Sequence, residues 1–128
     1  MNDKNIIVDP ETPYGKPATQ CRPKMSGKEF DETISLAIKT YGKESQTKML
    51  FEEMSELQNA LCKLARGRGT ADHVCEEIAD VMIMCFQMAQ FYGMARVEQW
   101  AQFKMNRLKK RLTETATSTT TPSPLKDK

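Results

Sequence analysis

From residue 26 onward, apolar positions recur every three or four residues, the period of a helix with one buried face. Ser26-x-x-Glu29 reads as a capping box that opens a first helix, and Phe30, Ile34, Ala37, Ile38 and Tyr41 supply its core face. Gly42 follows at the place where a left-handed residue ends a helix. A second helix begins near Lys43 or Ser45 and runs to about Ala65, with Leu50, Met54, Leu57, Leu61 and Leu64 as its stripe. A third runs from Thr70 or Ala71 to Tyr92, with Val74, Ile78, Val81, Cys85 and Tyr92 as its stripe, and stops at Gly93. A fourth spans about Ala95 to Leu112, where Val97, Trp100, Ala101, Met105 and Leu108 form the apolar side. The pattern predicts an all-α, four-helix domain over residues 26–112.

The two ends follow other rules. Pro10, Pro13, Pro17 and Pro23 forbid a continuous helix, so residues 1–25 are expected as an extended arm. Residues 113–128 are low-complexity threonine, serine and proline, expected as a disordered tail. Within the third helix the sequence turns apolar nearly all round after Asp80. Met84, Phe86 and Phe91 then fall outside the stripe, which predicts a subunit interface and a homodimer or homotetramer.

Composition narrows the function classes. A chain of 128 residues fits one domain, and a net charge of +2 is too small to imply nucleic acid or a membrane as partner. The longest apolar run, Val81 to Phe86, is too short to span a bilayer, and the first residues lack the pattern of a secretion signal. A cytoplasmic location is expected. Cys21, Cys62, Cys75 and Cys85 show no C-x-x-C spacing, and His73 is the sole histidine, which argues against zinc. The cysteines inside helices are expected to act as small hydrophobes.

The candidate chemistry lies in two acidic clusters, Glu52-Glu53-x-x-Glu56 and Glu76-Glu77-x-x-Asp80. In each, Glu53 with Glu56 and Glu77 with Asp80 flank the apolar stripe on one helical face, while Glu52 and Glu76 point nearer to solvent. Arg66-Gly67-Arg68-Gly69 separates the clusters and lets the helices fold back antiparallel; it is either a solvated turn or a cover over substrate. A single E-x-x-E is usually a solvated surface. Two matching pairs on hairpin neighbours gather four carboxylates, and oxygen-only ligands suit magnesium, with manganese as substitute. Lys48, one turn before Glu52, either pairs with it or faces the site mouth. Lys104 and Arg111 fall within the apolar side of the fourth helix with Arg107 beside them, so they either find anionic partners or snorkel outward.

Glu52-Glu53-Met54-Ser55-Glu56-Leu57 and Glu76-Glu77-Ile78-Ala79-Asp80-Val81, joined by a basic loop, resemble the paired motif of the MazG-like all-α nucleoside triphosphate pyrophosphohydrolases. The resemblance covers residues 26–112 and includes the helix bearing Lys104, Arg107 and Arg111. It implies magnesium-dependent cleavage of a nucleoside or deoxynucleoside triphosphate between the α and β phosphates, giving the monophosphate and pyrophosphate. Glu53, Glu56, Glu77 and Asp80 would then hold the metal and serve catalysis, and Lys48, Lys104, Arg107 and Arg111 would bind phosphate. The alternative is a non-catalytic helical interaction protein whose acidic face is merely solvated. No P-loop is present, and no glutamate stands three residues before His73 as a di-iron bundle would require.

Overall fold

The computed structural model describes residues 23–118, and these are all-α, with four helices and no strand. The helices are α1 (Gly27–Tyr41), α2 (Lys43–Ala65), α3 (Ala71–Tyr92) and α4 (Met94–Ser118). Local signals set most of the boundaries. Ser26 caps α1, its Oγ accepting from the Glu29 amide at 3.1 Å. Gly42 takes φ +84°, a conformation a side chain would strain, and divides α1 from α2 with no further linker. The described residues fall into two compact units, divided between Phe91 and Tyr92.

In the first unit the helices meet along faces that differ from the apolar stripes. On α2 the buried residues are Gln46 and Ala60, with Leu50, Glu53, Leu57 and Leu64 half-buried between and beyond them. Met54 and Leu61, expected inside, are exposed. On α3 the buried residues are Val74, Glu77, Met84, Gln87 and Ala89, whereas Ile78, Cys85 and Tyr92 are exposed. Both helices are thus rotated so that their carboxylate flank turns inward. Polar side chains that find partners across the seam hold this phase, and a search for apolar stripes passes over them. Tyr41 is likewise exposed rather than core.

The chief such partner is a pair of glutamines. Gln46 Nε2 donates to Gln87 Oε1 across 2.6 Å, and both residues are buried, at 6% and 3% exposure. Gln87 Nε2 in turn donates to Met84 Sδ at 3.6 Å. Alongside, Thr47 Oγ1 approaches Met88 Sδ at 3.6 Å. On the other side of α3, Phe30 of α1 meets Phe86 edge to face with ring centroids 5.0 Å apart. Ser35 Oγ donates to Gln90 Oε1 at 3.3 Å.

Met84, only 6% exposed, therefore belongs to the core of the chain itself, and Phe86 is half-buried against Phe30. Met84 is thus not left exposed for a partner as its place outside the stripe suggested, whereas Phe86 and Phe91 are half-buried. The three helical cysteines within the described residues, Cys62, Cys75 and Cys85, carry free thiols on the exposed side and are not core hydrophobes.

The second unit is built on α4, which buries no residue. It continues through Ser118, beyond the Leu112 boundary expected for the domain. In the extra turns the threonine hydroxyls donate back one turn, Thr113 to Lys109 O, Thr115 to Arg111 O and Thr117 to Thr113 O, each at 2.9 Å, so these side chains are satisfied within the helix. Residues 1–22 of the arm expected at 1–25, and residues 119–128 of the tail expected at 113–128, lie outside the described residues. Among the described residues no single helix is long and apolar enough to cross a membrane.

Candidate metal centre

The glutamine pair fixes the register of the α2–α3 hairpin. Seven residues on from Gln46 is Glu53, and seven back from Gln87 is Asp80; ten residues give Glu56 and Glu77. Glu53 thus stands level with Asp80, and Glu56 with Glu77. The electrostatics agree: among neighbouring charges, Asp80 acts most on Glu53 and Glu56 acts most on Glu77.

The turn between the helices is closed by backbone bonds. Arg68 N–H donates to Lys63 O at 2.8 Å and Gly67 N–H to Leu64 O at 3.0 Å, the paired bonds of a Schellman motif. Gly67 takes the left-handed φ of +74° that this motif needs. Thr70 then opens α3, its Oγ1 accepting from the His73 amide at 3.1 Å. A pinned turn of this kind is a rigid joint at its α2 end, which favours the turn over the hinged cover. Arg66 and Arg68 are exposed.

The acids come together as two overlapping triads. Glu53, Glu56 and Glu77 bring carboxylate oxygens within 4.8 Å of one another, and so do Glu76, Glu77 and Asp80. Glu77 belongs to both and is the most deeply set, at 5% exposure. Glu53 and Asp80 are half-buried, whereas Glu56 lies at the surface. Glu52 is exposed as expected; Glu76 is exposed too, yet it joins the second triad.

This environment disfavours ionisation. Burial holds the Glu53 carboxyl above the usual range, and Asp80, Glu56, Glu77 and Glu52 add to the rise. Burial also raises Glu77, reinforced by Glu56, Asp80 and Glu76 and opposed by His73. Glu53 Oε2 and Glu77 Oε2 are buried with no hydrogen-bond partner. Buried carboxylate oxygens are ordinarily paired, and an unpartnered pair among like charges fits a site for a cation. The donors are oxygen alone, which suits magnesium or manganese rather than a thiophilic metal.

His73 is a neighbour of the site that apolar stripes and acidic spacing did not reveal. Its Nδ1 lies 3.5 Å from Glu76 Oε2 and its Nε2 lies 3.6 Å from Glu77 Oε1. The signal was present as the i, i+3, i+4 spacing of His73, Glu76 and Glu77.

Lys48 pairs with Glu44 at 3.3 Å, one turn towards the N-terminus, and not with Glu52. Lys104, Arg107 and Arg111 share one side of α4 and are exposed in the second unit, so the structure does not place them on a buried inner face. No protein family, curated protein or solved structure matches this chain.

Proposed function

We propose that this chain is a magnesium-dependent nucleoside triphosphate pyrophosphohydrolase of the MazG-like type. It would cleave a nucleoside or deoxynucleoside triphosphate between the α and β phosphates to the monophosphate and pyrophosphate. The observation that carries the reading is the buried, unpartnered Oε2 of both Glu53 and Glu77 within a cluster of carboxylates. A solvated acidic face, the alternative, calls for exposed acids, and the 5% exposure of Glu77 runs against it. The paired motif and its resemblance supply the reaction class.

Glu53, Glu56, Glu77 and Asp80 would hold the metal. Bound there, magnesium would supply positive charge to phosphate oxygens and acidity to a bound water. A glutamate not fully engaged in ligation would take the proton of the attacking water, and Glu56 is the most open of the three nearest acids. The raised affinity of Glu53 and Glu77 for protons suits groups that give up a proton when a metal binds. Lys48, Lys104, Arg107 and Arg111 are assigned to phosphate on the resemblance alone, as cations that neutralise the leaving pyrophosphate.

A homodimer or homotetramer belongs to the same reading. It is supported by large apolar side chains left exposed on one face of α2, Phe51, Met54 and Leu61 at i, i+3 and i+10, rather than by Met84 or Phe86. The test of function is a screen of nucleoside and deoxynucleoside triphosphates for pyrophosphate release with magnesium. Turnover of one or more supports the reading; a silent panel under magnesium and manganese overturns it.

A further inference from the structure

The two oxygens of Glu77 have different surroundings. Oε1 faces His73 Nε2 at 3.6 Å, while Oε2 is buried and has no partner. His73 is held from behind, since its amide donates to Thr70 Oγ1 and fixes the first turn of α3 beneath it. Its imidazole is 47% exposed and lies between solvent and the buried carboxylate, with Glu76 Oε2 on its other nitrogen. We propose that His73 is a positioning residue for the cation site: it holds Glu77 Oε1 and so commits Oε2 as the atom that ligates.

The physical reason is rotational. A glutamate carboxylate turns readily about its last torsion, so either oxygen can face a cation unless something distinguishes them. A donor on one oxygen removes that freedom before the metal arrives, and outer partners of ligating carboxylates act in this way on affinity. The 3.6 Å separation is just longer than a hydrogen bond, and a small rotation of either side chain closes it. The i, i+4 spacing alone would give only a modest helix-stabilising contact, and that simpler role makes a different prediction.

The proposal rests on the cation reading above, and one experiment separates the two. Manganese binding is titrated calorimetrically on the full chain, with the electron-spin spectrum of the bound ion recorded, for wild type, His73→Ala, His73→Gln and Glu77→Gln. His73→Ala is expected to weaken manganese about 10–100-fold and broaden the spectrum, while the metal-free melting temperature stays nearly unchanged. His73→Gln, whose amide can reach the same oxygen, is expected to recover most of the affinity. Wild-type affinity and spectrum in His73→Ala would overturn the positioning role, as would a His73→Gln variant no better than His73→Ala. A wild type that binds no manganese would overturn the cation site and this role with it. Glu77→Gln tells the cases apart, because it must lose binding if the site is where the acids are.

Discussion

Gln46 donates to Gln87 across 2.6 Å inside the α2–α3 seam, and that one bond brings Glu53 level with Asp80 and Glu56 level with Glu77. Buried amide pairs of this kind fix register because an alternative pairing would leave both amides unsatisfied. Gln46→Leu or Gln87→Leu alone strands the other amide and should cost about 1–3 kcal/mol in urea unfolding. The double change to leucine should recover most of that stability yet bind manganese more weakly, because nothing then holds the carboxylates level. Simple additivity of the two single losses would show that the pair is not coupled.

The metal-free protein should lose stability as pH rises. Glu53 and Glu77 have folded-state pKa values above the ordinary 4.5, so the folded chain holds their protons more tightly than the unfolded chain does. Their contribution is fully present below that value and is lost as pH climbs through the raised values. The melting temperature measured in chelator should therefore fall across this window more steeply for wild type than for the Glu53→Gln/Glu77→Gln double variant. Saturating magnesium should cancel the excess slope by binding the ionised form. Equal slopes in wild type and the double variant would contradict the account of the buried acids.

Met84 separates core from interface. Buried at 6% exposure within the single chain, it should cost about 2–5 kcal/mol when cut to alanine, by the usual cavity argument. The loss in melting temperature should be the same at low and high protein concentration. A loss that vanishes on dilution would return Met84 to a subunit interface.

The helices were legible because their ends are written locally. Ser26 caps, Gly42 and Gly93 break, and the α1, α2 and α3 limits agree with the pattern to within a residue or so. The gathering of Glu53, Glu56 and Glu77 was legible as well, since spacing and a short turn demand it. Helix phase was not, because the partner across the seam decides it: Gln46 and Gln87 look like surface residues until each finds the other. The same cause concealed how deeply Glu77 lies, and left Met54 and Ile78 expected inside when they are exposed. Thr113–Ser118 reads as tail by composition, yet it continues α4, with its hydroxyls turned back onto carbonyls of the preceding turn rather than out to break the helix.

The central claim is that the paired carboxylates direct magnesium to the bond between the α and β phosphates. Phosphorus NMR of a deoxynucleoside triphosphate mixture incubated with the protein and magnesium reads it directly. The account predicts monophosphate and pyrophosphate from wild type, little change for the exposed Glu52→Gln, and no product from Glu53→Gln or Glu77→Gln. Diphosphate with inorganic phosphate, or undiminished turnover in Glu77→Gln, would contradict it.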